Sequence, residues 1–97
     1  HAAEAMDLLQ DLAQLDAQRV GLPPRIAELQ LLSARRQAHV LRFWLASMGT
    51  QAQAAQMQAL LIQVSACKTR GHRIHLKVGQ GHVVREGDVL AWLQSKV

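Results

Sequence analysis

Ser33-Ala-Arg-Arg-Gln-Ala-His-Val-Leu-Arg-Phe-Trp-Leu-Ala-Ser-Met-Gly49 decides the reading, because one helical repeat in it carries a wide apolar arc and a separate basic stripe. At about 100° per residue, Ala34, Ala38, Leu41, Leu45 and Met48 share one side, and Val40 and Trp44 widen it. Arg35, His39 and Arg42 recur at i, i+4 and i+7 on another side, with Arg36 adjacent. Ser33 suits the N-cap, where its hydroxyl accepts from an orphan amide of the first turn. Gly49 suits the left-handed residue that ends a helix.

Upstream, residues 2–20 run without glycine or proline and read as a first helix with Ala5, Leu8, Leu9, Leu12 and Leu15 as its apolar stripe. Glu4 and Asp7 sit where they complement the positive end of the helix dipole, which accounts for them without an acid/base site. Gly21-Leu22-Pro23-Pro24 stops this helix. Residues 25–32 follow, with Ile26, Leu29, Leu31 and Leu32 compatible either with a helical turn or with an extended strip under the helices. Downstream, Thr50 is the expected cap of a third helix over residues 51–66, buried through Ala54, Met57, Leu60, Leu61 and Val64.

Beyond Gly71 the period changes from helical to alternating. Ile74, Leu76 and Val78 face inward from one strand, Gly79-Gln80-Gly81 turns, residues 82–85 return, and Glu86-Gly87-Asp88 turns again before residues 89–93. The expected fold is α+β, mainly α: one domain over residues 1–97, with three helices and a small C-terminal antiparallel β-meander.

Ninety-seven residues, 49% of them hydrophobic, suffice for one core. The start at His1 suggests a piece of a longer polypeptide. No apolar run approaches the roughly 18 residues of a membrane span, and no segment has the layout of a signal peptide, so a cytoplasmic, non-membrane protein is expected. Cys67 is the single cysteine and has no partner for an intrachain disulfide and no identifiable base.

Charge is divided along the chain. Residues 1–32 hold two arginines against five carboxylates, whereas residues 33–97 hold nine cations against Glu86 and Asp88. The C-terminal two-thirds therefore favours an anionic partner, of which nucleic acid is the commonest large example. Arg35, Arg36, His39 and Arg42 form the first candidate contact group, and Lys68, Arg70, Arg73, Lys77 and Arg85 the second. Guanidinium forks bind phosphate oxygens in bidentate fashion, and such contacts position a nucleic acid more than they read it.

Catalytic patterns are missing from these residues. There is no Ser-Gly-Gly phosphate loop, no Walker-type lysine loop and no nucleophile elbow. Cys67, His72, His75 and His82 are of metal-ligating type, but their spacing matches no compact paired-ligand motif, and no metal is expected. Trp44 and Trp92 have the faces to stack on bases, yet their positions suit packing better.

Taken together, Asp7-Leu8-Leu9-Gln10-Asp11-Leu12-Ala13, Leu32-Ser33-Ala34-Arg35-Arg36, Val40-Leu41-Arg42-Phe43-Trp44-Leu45 and the hairpin resemble the domain that follows the catalytic domain in bacterial tRNA(Ile)-lysidine synthases. The likeness covers nearly the whole chain. Val84-Arg85-Glu86-Gly87-Asp88 departs from it, carrying acids where the family is more basic. The resemblance implies a non-catalytic tRNA-binding accessory domain. In the family, a separate ATP-pyrophosphatase domain adenylates the wobble cytidine of the CAU anticodon, and lysine displaces AMP. It implies ATP and Mg for that other domain and no cofactor for this one. The implied partners are tRNA(Ile), the catalytic domain of the same polypeptide and a second copy in a homodimer of the full-length protein. Two other readings compete. Residues 74–93 resemble half of a lipoyl-type barrel in a periplasmic membrane-fusion adaptor, although no lysine occupies the modification turn. A helical scaffold domain is the third reading.

Overall fold

The computed structural model describes residues 2–95; Lys96, counted above among the C-terminal cations, lies outside the described residues. Four helices precede one sheet: α1 (Ala2–Val20), α2 (Ile26–Gln30), α3 (Ala34–Ser47), α4 (Ala54–Ala66), β1 (His75–Val78), β2 (Gly81–Glu86) and β3 (Val89–Gln94). The strands form an antiparallel meander in the order β1-β2-β3. The fold is thus α+β and mainly helical, as the change of period indicates. No helix among the described residues is long and apolar enough to cross a membrane.

Helix α3 is central. The Ser33 hydroxyl accepts from the Arg36 amide at 3.3 Å, and Gly49 takes φ +79° beyond the last turn. Ala38, Val40, Leu41, Trp44 and Leu45 are all buried. Ala34 and Met48, expected on the buried arc, are exposed: Ala34 is the first residue of α3, and Met48 is its C-cap, past the last helical turn. Gln37 is buried among the apolar residues, and its amide donates to the Leu32 carbonyl at 3.0 Å.

The stripe expected on α1 is corrected by the structure. Ala5, Leu8, Leu9 and Leu15 are exposed and Leu12 is half-buried, while Ala13, Asp16, Ala17 and Val20 are buried. The last four also follow helical spacing, on a different side of the same helix. Two alanines on that side bring the α1 backbone close to α3, which the bulkier leucines would hold off.

Segment 25–32 combines the two conformations left open above. Arg25 forms an antiparallel bridge to Val89, with the Leu90 amide donating to the Pro24 carbonyl and the Ile26 amide to the Asp88 carbonyl, both at 2.9 Å. The short α2 then buries Ile26 and Leu29. The Gln30 amide donates to the carbonyls of Val64 and Cys67 at 2.9 and 2.7 Å, giving the Cys67 carbonyl a partner and the Val64 carbonyl a second donor beside the Cys67 amide at the end of α4.

Helix α4 starts later than expected. Gln53, not Thr50, is its N-cap, and the Gln53 amide donates to Gln56 Oε1 at 2.9 Å. Thr50 instead continues the α3 ending, its amide bonded to the Leu45 carbonyl, and its hydroxyl lies where a Cβ on Gly79 would go. Gly79 also has φ +58°, so the β1–β2 turn requires glycine both for conformation and for space. Met57, Leu60 and Val64 are buried, Leu61 is half-buried, and Ala54 is exposed.

Inward-facing Val78, Val83 and Leu90 join Leu29, Leu41, Leu45, Leu60 and Val64 in one core. Trp92 packs against its edge and donates from Nε1 to the Val78 carbonyl at 3.0 Å, while Trp44 is buried within it. Both indoles are thereby assigned to packing.

Candidate nucleic-acid interface

The two basic groups resolve into outward cations and braces. On α3, Arg35 and Arg42 are exposed and His39 is half-buried. Arg36 lies on the other side of the stripe and reaches back to α1. Its Nε and Nη2 donate to the two carboxylate oxygens of Asp16 at 3.0 and 2.6 Å. The Asp16 side chain is only 5% exposed, whereas that of Arg36 is 42% exposed. The hydrogen bond and the charge of Asp16 raise the Arg36 pKa above its ordinary value, so the guanidinium is held charged. The Nε–Nη2 edge of its fork is thus engaged by the carboxylate, which leaves only its remaining N–H donors for a phosphate.

His39 and Arg42 border a groove of about 470 Å³ between α1 and α3, floored by Met6, Leu9, Ala13, Phe43 and Ala46. The seam is basic at its rim and apolar at its base. Arg35 lies in the first turn of α3, close to the amides that give a helix start its positive potential.

The second group gathers around the loop that follows α4. Lys68, Arg70 and Arg73 are exposed. Lys68, Arg70 and Arg85 line a groove of about 340 Å³ that also contains Glu28 and Asp88. Arg70, Arg73 and Arg85 line an adjoining one of about 370 Å³ with His72 and Asp88. Here Arg85 is the brace: Nε donates to the Gly87 carbonyl at 2.8 Å, and Nη1 to the carbonyls of Thr69 and His72 at 2.7 Å each. These bonds tie the loop to the β2–β3 turn and fix the backbone from which Arg70 and Arg73 project. Lys77 belongs to neither groove; it is exposed on β1.

The structure therefore brings Lys68, Arg70, Arg73 and Arg85 together, sets Arg35, His39 and Arg42 along the α1–α3 side, and leaves Lys77 on the sheet. The two groups line different grooves. Sequence spacing alone missed Asp16 as the partner of Arg36. The available signal was its i+3 and i−1 relation to Ala13 and Ala17 on the alternative α1 face.

The candidate metal ligands do not converge. His72 shares a hydrogen bond with Gln63 at 2.9 Å, His75 and His82 stack on each other, and Cys67 is buried. No group of three or more residues of metal-ligating type occurs among the described residues.

Comparison with known proteins bears on this basic domain directly. A tRNA(Ile)-lysidine synthase of Polaromonas naphthalenivorans (strain CJ2) is 53% identical over 92 residues, which cover 95% of this chain and 28% of that protein. The chain thus spans little more than a quarter of the relative's length. No solved structure matches it. Residues 25–90 match the family described as TilS substrate binding domain, and that span takes in α2, α3, α4 and most of the sheet. This chain belongs to the TilS substrate binding domain family.

Proposed function

We propose that residues 1–97 are a single tRNA-recognition domain of a tRNA(Ile)-lysidine synthase. The complete enzyme uses ATP to join lysine to the wobble cytidine of the CAU anticodon of isoleucine tRNA. The observation that carries this reading is the family match over residues 25–90, in a chain that exposes Arg35, Arg42, Lys68, Arg70 and Arg73. The periplasmic adaptor reading is set aside on the same match.

In this proposal Arg35, His39 and Arg42 contact one stretch of the tRNA backbone, and Lys68, Arg70 and Arg73 another. Lys77 adds a point charge from the sheet. Arg36 and Arg85 contribute by holding α1 and the 67–73 loop in place, with only their spare donors available to phosphate. No catalytic role falls to any residue of this domain. Adenylation of the cytidine, and the ATP and Mg it requires, belong to a separate catalytic domain of the same polypeptide. The cytoplasm, where tRNA is modified, is the proposed location, and a homodimer of the longer polypeptide is checked by its mass in solution.

Titration of the chain with a tRNA(Ile) transcript at several salt concentrations is the test. Binding should weaken with salt on a log–log slope of roughly 0.7 to 0.9 per phosphate neutralised. Arg35→Ala with Arg42→Ala should lower both the affinity and the slope, by about one contact for each arginine removed. Absence of binding at low salt, or an unchanged double variant, overturns the surface assignment.

A further inference from the structure

The outer face of the sheet carries a feature that phosphate binding does not use. Antiparallel register places Lys77, His82 and Leu93 in one row across the three strands and His75, Val84 and Ala91 in the next. Alternation puts all six on the side opposite the buried Val78, Val83 and Leu90. Across these rows the imidazoles of His75 and His82 stack, with centroids 4.6 Å apart and planes inclined by 21°. His75 is exposed, His82 is half-buried, and Leu93 beside it is 51% exposed.

We propose that this face is a stacking platform for one unpaired nucleobase, with the Lys77 ammonium taking an adjoining phosphate. The inference rests on the nucleic-acid reading above and adds a site and a ligand class to it. Two stacked rings present a ready π-surface to a third, and Val84, Ala91 and Leu93 surround it with apolar atoms that suit the face of a base. Such stacking tolerates any base and requires one that is not already paired within a helix. The charge pattern agrees: Lys77 is directly opposite His82, whereas Glu86, on the same face, sits two rows away at the turn. A single-stranded loop and a single-stranded end of a tRNA offer the same chemistry.

The experiment uses a short single-stranded RNA carrying 2-aminopurine, whose fluorescence is quenched on stacking, beside a blunt-ended duplex RNA of equal length. The wild-type chain should quench the single-stranded probe. His75→Ala with His82→Ala should abolish quenching and weaken single-strand binding by about 5- to 100-fold, the range expected for loss of one stacked base. The salt slope and duplex binding should stay as in wild type, and His75→Phe with His82→Phe should restore both quenching and affinity. The platform is overturned if the alanine pair binds the single strand normally, if it loses duplex and single strand equally, or if the phenylalanine pair is as weak as the alanine pair. A stacking loss beside an inert Arg35→Ala and Arg42→Ala variant would sustain the platform and remove the α3 contacts. No binding of either RNA by wild type at low salt removes both. Transcripts of tRNA with and without the unpaired 3′ end then distinguish an end from a loop as the source of the base.

Discussion

Helices α1 and α3 lie side by side and both carry enough apolar residues to bury a face, but they use them differently. In α3 the arc from Ala38 to Leu45 is covered, whereas residues 3–11 of α1 are all exposed, Met6 and Leu8 to 67% and 69%. Coverage accounts for this. The Arg36–Asp16 pair joins the start of α3 to the last turns of α1, and Met6 and Leu9 share a groove with Phe43 and Ala46 near the other end of α3, so the early turns of α1 meet α3 along one side and water on the rest. Helical periodicity reports which residues share a side. It takes a neighbouring element to turn that side into core.

The contrast is broken most sharply in the middle of α3. Leu45 is fully buried, and Leu45→Ala should cost about 2–5 kcal/mol, combining lost transfer free energy with the cavity left behind. Denaturant unfolding followed by circular dichroism measures it. A loss below that range would mean that α3 is not the spine on which the other elements pack.

Next comes the tie between the two helices. Arg36→Met leaves the buried Asp16 carboxylate without its partner and should lower the unfolding midpoint, while Arg35→Met, one residue away, should leave it unchanged. Adding Asp16→Leu to Arg36→Met should recover most of the loss, because the penalty lies in the orphaned charge. RNA binding should show the reverse order, with Arg35→Met the weaker binder. The pair should be insensitive to pH around neutrality. A raised arginine pKa gives stability that is fully present below the unfolded value and lost only as pH climbs through the folded one, far above that range. Equal midpoints for Arg35→Met and Arg36→Met would reduce the pair to a surface contact.

These residues also mark what the chain makes legible. Ser33, Gly49, the switch of period after Gly71 and the turns at Gly79 and Gly87 are local signals, and the corresponding element types and turns follow from them. Two caps were less accessible: Gln53 displaces Thr50 because the Thr50 amide is bonded to the end of α3 and its side chain packs on Gly79 of the β1–β2 turn, and Gln30 caps α4 from 34 residues away in sequence. For the site, the exposed positions of Arg35, Arg42, Lys68, Arg70 and Arg73 follow from polarity and helical spacing. The inward roles of Arg36 and Arg85 do not, since an arginine that meets a carboxylate or three carbonyls is the same letter as one that meets water. The His75–His82 stack required the strand register, which sets His82 opposite Lys77 and diagonal to His75.

The smallest effect sharpens the comparison from the other side. Leu8 and Leu45 are the same residue, each in a helix, so the difference between their alanine variants isolates coverage from residue type. Leu8→Ala removes a side chain that is already 69% exposed, creates no cavity, and replaces it with the best helix former. Its unfolding free energy should stay within about 0.5 kcal/mol of wild type. A loss approaching that of Leu45→Ala would show that the first turns of α1 fold back onto the domain. A small gain would match the higher helix propensity of alanine at a position that this helix leaves facing water.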